Sequence, residues 1–141
     1  MDSIIIFGKE YEIIKRWGGK ESVFRRGNKL FVRCTSGNFS TLIRAYKRKL
    51  LYRECERVLK EFCKRVDVLG NLKIKIVNSI NGKKSTLARI RRNLIEVQED
   101  VIALPKLAIK YLLAHELAHI VSKNHHEKFH NVLKPVSYTH L

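Results

Sequence analysis

The apolar and polar positions change period along the chain, and each period predicts its own element. Over residues 3–34 the runs Ile4-Ile5-Ile6-Phe7, Tyr11-Glu12-Ile13-Ile14 and Leu30-Phe31-Val32-Arg33-Cys34 are short and β-rich. Gly8, Gly18-Gly19 and Gly27-Asn28 punctuate them, and the two pairs suit hairpin turns, so the pattern predicts an antiparallel meander. From Ser40 to Val66 the spacing becomes helical. Leu42, Ile43, Tyr46, Leu50, Val58, Leu59, Phe62 and Val66 form a stripe, with Ser40 as N-cap and Glu56/Lys60 and Glu61/Arg65 as i,i+4 pairs. Beyond a Gly70-Asn71 break, Leu72 to Val77 alternates apolar residues with lysine and reads as a half-buried strand. Asn81-Gly82 marks a turn, and strands follow near Thr86–Arg91 and Leu94–Gln98 with Arg92-Asn93 between them. A helix opening at Pro105 and a short one over Glu127–Leu133 complete the pattern.

The Pro105 helix is apolar on nearly every side through Leu107, Ala108, Tyr111, Leu112, Leu113, Leu117, Ile120 and Val121. Between Lys110 and Lys123 its single charge is Glu116, which sits in His115-Glu116-Leu117-Ala118-His119. Residues four apart on a helix share one side, so His115 and His119 can grip one Zn²⁺. Glu116 then lies beside the metal's open position, where it can take a proton from water. A carboxylate among apolar neighbours is costly without a cation, and a metal would be that cation. Ser122-Lys123-Asn124 suits a helix exit, because Asn tolerates the left-handed turn. His125 can fold back from there as the third ligand; His126 competes for the role, and Glu127 is a weaker candidate.

Composition narrows the class. A chain of 141 residues with 45% hydrophobic and 30% charged residues is long enough for one domain with its own core. No apolar run reaches the length of a membrane span, and the N-terminal run is too short for a signal peptide. Cys34, Cys55 and Cys63 are odd in number and form no Cys-x-x-Cys pair, which argues for a cytoplasmic location and against cysteine as a zinc ligand. The formal net charge of +16 attracts polyanions. The cations are dispersed, however, apart from short clusters at Lys47-Arg48-Lys49 and Arg89-x-Arg91-Arg92, and no aromatic-studded strand motif accompanies them. A basic solvated surface accounts for them equally well. On the basic outer face of the long helix (Arg44, Lys47, Arg48, Arg53, Arg57 and Lys64) plain solubility is the favoured reading over a binding stripe.

The motif His115-Glu116-Leu117-Ala118-His119, its five-residue gap and the following Asn124-His125-x-x-x-Phe129 resemble the YgjP-like zinc metallopeptidases, relatives of the SprT-like and WLM peptidases. The order of helix (40–66), strand (72–77), strand pair (86–98), Leu104-Pro105 and zinc helix is similar to that family over about residues 40–133. The resemblance implies His115, His119 and His125 as zinc ligands and Glu116 as general base. Two positions depart from it: Asn81-Gly82-Lys83-Lys84-Ser85-Thr86 stands where members usually carry Trp-Gly-Ser-Cys, and His130 stands where many carry Trp. Metzincins share the histidine spacing, but Ser122 replaces their glycine and the one methionine, Met1, cannot form a Met-turn.

The expectation is therefore an α+β, zincin-like fold: N-terminal antiparallel strands, a long helix, a small sheet, the zinc helix and a short C-terminal helix. It forms a single domain, with a β-rich part over 1–38, a core over 39–134 and a tail over 135–141 that departs from the family's usual ending. Val136–Leu141 reads as translated adaptor sequence, and Tyr138 and His140 are given no role. The expected activity is zinc-dependent hydrolysis of a peptide or protein substrate; Arg89, Arg91 and His130 are guesses for a further oxyanion donor. Two alternatives use the same residues. One is a nucleic-acid-associated module with structural zinc, in which His126 or His130 would add a fourth ligand. The other is hydrolysis of a nucleotide phosphoanhydride.

Overall fold

The computed structural model describes residues 2–64 and 72–124, the last four of these by backbone alone. Val66, Arg65, the Gly70-Asn71 break and the Glu127–Leu133 helix lie outside the described residues. Within them the chain runs β1 (Ser3–Ile6), β2 (Lys9–Trp17), β3 (Ser22–Arg26), β4 (Lys29–Cys34), α1 (Phe39–Cys63), β5 (Lys73–Val77), β6 (Ala88–Arg91), β7 (Leu94–Gln98), a 3₁₀ turn (Glu99–Ala103) and α2 (Lys106–Asn124). It is an α+β fold with two sheets and two long helices.

The first sheet has the order β1-β2-β4-β3 and is not the expected meander. β1 and β2 form an antiparallel hairpin about Phe7-Gly8, and β3 and β4 form another about Gly27-Asn28. The hairpins join through β2 and β4, which run parallel from Glu12↔Lys29 to Trp17↔Cys34. Burial fits the arrangement: Leu30, Val32 and Cys34 of β4 are almost wholly buried, so the most buried strand takes an interior position. With β4 between them, β2 and β3 lie two strand spacings apart, about 10 Å, which a two-residue turn cannot span. Gly18-Gly19 instead opens a longer link past the end of β4, where the Gly18 N–H donates to the Cys34 carbonyl (3.2 Å). β3, which the hydrophobic pattern did not mark, alternates exposed and half-buried residues.

The tip of the first hairpin is tied to the core. Phe7 and Gly8 both have positive φ (51° and 80°), and their N–H groups donate to the carbonyls of Ile102 (2.7 Å) and Ala103 (2.9 Å). A Cβ at residue 8 would stand 3.0 Å from Pro105 Cγ, so this position calls for glycine twice over.

α1 begins after Asn38 rather than Ser40. Phe39 is buried and sets the start, and the Asn38 side chain accepts from the Thr41 hydroxyl (2.7 Å) instead of capping a backbone N–H. The inward face is Phe39, Ile43, Leu51, Glu54, Cys55, Val58, Leu59 and Phe62. Most of the predicted stripe holds, while Leu51, Glu54 and Cys55 are additions. The outer basic face is partly committed, because Arg44 and Arg48 both donate to Glu99 of the 3₁₀ turn (3.0 and 2.7 Å). The Glu56/Lys60 pair forms at 4.0 Å.

The second sheet has the order β5-β7-β6, with β5 and β7 parallel and β6 and β7 antiparallel; its three strands lie near the expected positions. Ile95 and Val97 turn inward with Ala88, and the helices cover that side. Buried Gln98 fastens the exit of β7: its Oε1 accepts from the Asp100 N–H (2.7 Å) and its Nε2 donates to the Asn78 carbonyl (3.1 Å). Among the described residues no helix is long and apolar enough to cross a membrane, and the buried Cys34 and Cys55 are free thiols.

Candidate metal centre

α2 starts where Pro105 places it. The Pro105 carbonyl accepts the first helical bond from the Ile109 N–H (3.1 Å), and proline brings a preset φ and no donor to satisfy. Ile109, Leu113, Ala114, Leu117 and Ala118 are buried and fix the rotation of the helix against α1 and β6. That rotation turns a different stripe outward, composed of Leu107, Tyr111, His115 and His119. The helix is thus not covered all round, as its composition suggested, since Leu107 and Tyr111 keep 48% and 50% of their surface. They sit two turns and one turn before the first histidine on the same line.

His115 and His119 are neighbours on this stripe, their rings 5.2 Å apart and nearly perpendicular (86°). Glu116 is half-buried beside them, and one ligand atom from each of the three residues lies within 4.8 Å of the others. Two imidazoles and a carboxylate gathered so closely fit a divalent ion of the zinc class. The carboxylate has no cationic side chain in ion-pair range among the described residues, which is the deficit that a metal removes. His125, the expected third ligand, lies outside the described residues, as do His126, Glu127, Phe129 and His130.

Two of the three guessed oxyanion donors can be placed. Arg89 and Arg91 pair across strands with Glu96 and Leu94, on the side of β6 opposite the core-facing Ala88 and Ile90. Arg89 is engaged by Glu96 (2.6 Å) and Asn81 (2.8 Å), and exposed Arg91 lines a surface cleft with Lys73 and Arg92. The sequence could not show this, because the side a strand residue faces follows from pairing register.

A family model described as the YgjP-like metallopeptidase domain matches residues 1–137. The chain belongs to this family. Curated proteins and solved structures gave no match. Membership in a YgjP-like metallopeptidase family implies a metal ion and a peptide or protein substrate, and the cluster on α2 supplies donors suited to such an ion. The region that departs from the usual family residues is a turn held by other means here. Ile80 and Lys83 form an isolated bridge around Asn81 and Gly82, both at positive φ (53° and 73°), and Asn81 accepts from Arg89.

Proposed function

We propose that this chain is a zinc peptidase in which His115, His119 and His125 hold the metal and Glu116 is the general base. The observation that carries the reading is the convergence of His115, Glu116 and His119 on the outward stripe of a helix whose other side is locked in the core. Zinc held there supplies a Lewis acid and lowers the pKa of water toward neutrality. Glu116 accepts the proton of the attacking water as the new C–O bond forms, then delivers it to the leaving amine as the C–N bond breaks. Leu107 and Tyr111, exposed along the same line, offer an apolar track for a substrate side chain.

The β-rich first 38 residues and the core act as one domain in this reading, supported by the bonds from Phe7 and Gly8 to the 3₁₀ turn. Free thiols at Cys34 and Cys55 support a reducing, cytoplasmic setting.

The test joins metal analysis to turnover. Wild type and Glu116→Gln are expected to carry about one zinc per chain, His119→Ala and His125→Ala much less. Cleavage of an unfolded protein such as casein is expected to fall about 10²- to 10⁴-fold in Glu116→Gln. Full zinc occupancy in His125→Ala would transfer the third ligand to His126 or Glu127. Undiminished cleavage by Glu116→Gln would remove the assigned base.

A further inference from the structure

The outer face of the first sheet breaks the usual division between a buried apolar side and a wet polar side. Register places three rows across it. The middle row is Ile14–Phe31–Phe24, since Ile14 pairs with Phe31 and Phe31 with Phe24. The rings of Phe31 and Phe24 stack at 5.2 Å and 17°, and Phe24 keeps 48% of its surface in solvent. One flanking row is Arg16–Arg33–Ser22 and the other is Glu12–Lys29–Arg26. Each lies about 7 Å from the rings along the strands.

The cations of these rows are unspent. Arg16 and Arg33 donate to the backbone carbonyls of Lys15 and Gly18 (both 3.2 Å), which orients them without neutralising them. Among the described residues none of Arg16, Arg26, Lys29 and Arg33 has a carboxylate within ion-pair distance. Glu12 faces outward opposite Lys29 without reaching it, and Glu10, further along β2, accepts from the Ser3 hydroxyl (2.9 Å).

We propose that this face binds single-stranded nucleic acid, with the exposed ring of Phe24, backed by Phe31, as the stacking surface for an unpaired base and Arg16, Arg33, Arg26 and Lys29 on the phosphates. Aromatic rings on a sheet face bordered by cations supply the two interactions a single strand needs, stacking and charge, and every base has a face to stack. A duplex keeps its bases stacked on one another and cannot use the rings. A second copy of the chain would bring four like charges against four, at a net charge of +16 per chain. An anionic membrane would require apolar groups that insert, whereas Phe31 and Ile14 are themselves partly buried. The proposal stands apart from the metal centre on α2 and does not require it.

Fluorescence anisotropy with a labelled oligo-dT 20-mer tests it, using zinc-loaded wild-type protein and the corresponding duplex as competitor. Binding is expected to weaken about tenfold or more in Phe24→Ala/Phe31→Ala and to be retained in Phe24→Tyr/Phe31→Trp. Arg16→Ala/Arg33→Ala is expected to flatten the dependence of log affinity on log salt by about 0.7 for each phosphate that is no longer neutralised. Lys73→Ala/Arg91→Ala, on the ring-free outer face of the second sheet, is expected to change affinity less. Unchanged zinc content and melting temperature show that the variants are folded. Equal affinity of wild type and Phe24→Ala/Phe31→Ala would overturn the proposal, as would a duplex that competes as well as the single strand. Ring-dependent binding to phosphatidylserine vesicles without ring-dependent oligonucleotide binding would assign the face to membranes instead. Ring-dependent dimerisation of the free protein, abolished in Phe24→Ala/Phe31→Ala and unaffected by oligo-dT, would assign it to self-association.

Discussion

Two glutamates, one on each long helix, meet opposite fates. Glu54 on α1 is 5% exposed and arrives with its cations: Arg57 grips both carboxylate oxygens, at 3.2 Å to Oε1 and 2.5 Å to Oε2, and Lys106 stands 3.9 Å away. Glu116 on α2 is half-buried and has two imidazoles in place of ammonium or guanidinium groups. The first carboxylate is satisfied by the fold itself. Among the described residues the second has no such cation, and that difference separates a structural acid from a chemical one.

The largest expected effects test whether the distinction is real. Zinc at a hundredfold excess over its Kd should stabilise the wild type by about 2.7 kcal/mol. Arg57→Met should retain that increment and His115→Ala should lose it. Without zinc, Arg57→Met leaves Glu54 with only the more distant Lys106 and should cost about 1–3 kcal/mol, whereas Glu116→Gln should stay within about 0.5 kcal/mol. Urea unfolding with and without zinc reads each of these values. Equal costs for Arg57→Met and Glu116→Gln in the metal-free protein would collapse the comparison.

Glu99 sharpens it as a second carboxylate served by the fold. Burial alone would raise its pKa, but hydrogen bonds and charge from Arg44 and Arg48 outweigh burial and hold it below the ordinary 4.5. Stability from this group is therefore complete above 4.5 and is lost as pH falls through the lowered folded-state value. The gap in urea midpoint between wild type and Glu99→Gln should be widest near neutrality and close on acidification. A gap that does not change with pH would mean that the arginines act through packing rather than charge.

The smallest effect concerns Cys55, where burial, aided by the Glu54 charge, pushes the thiol up to about 12. Folded protein at pH 8 should resist alkylation at this position and react there once unfolded, as peptide mapping would show. Rapid native labelling of Cys55 would show that the surroundings of Glu54 are open to solvent.

Local periodicity made much of this molecule readable. Helical spacing located α1 and α2 to within a few residues, and the Asn81-Gly82 and Arg92-Asn93 turns fall between the elements they were expected to separate. The i,i+4 rule also placed His115 and His119 together, because a helix carries that information in sequence distance. Strand partners are not local. The parallel pairing of β2 with β4 depends on which strand buries most, and Ser22–Arg26 gave little sign of β3 because its outward positions include both serine and phenylalanine. Phe24 and Phe31 meet across the hairpin about Gly27-Asn28, whose turn the sequence does mark, but the row that adds Ile14 follows only from the β2–β4 pairing. The two-arginine clasp on Glu99 joins residues 51 and 55 positions apart, beyond any sequence window.

The bond between the first hairpin and the core makes the amino-terminal sheet a bearing for the helix that carries the histidines. Phe7 and Gly8 hold the two carbonyls just ahead of Pro105, and Pro105 rests against the bare Cα of Gly8. A methyl group added there would act like a shim under an axle, lifting the start of α2 while leaving every residue of the metal cluster unaltered. The amino-terminal strands thus belong to the alignment of the histidine helix, and variation far from the histidines can detune the metal centre through a single glycine.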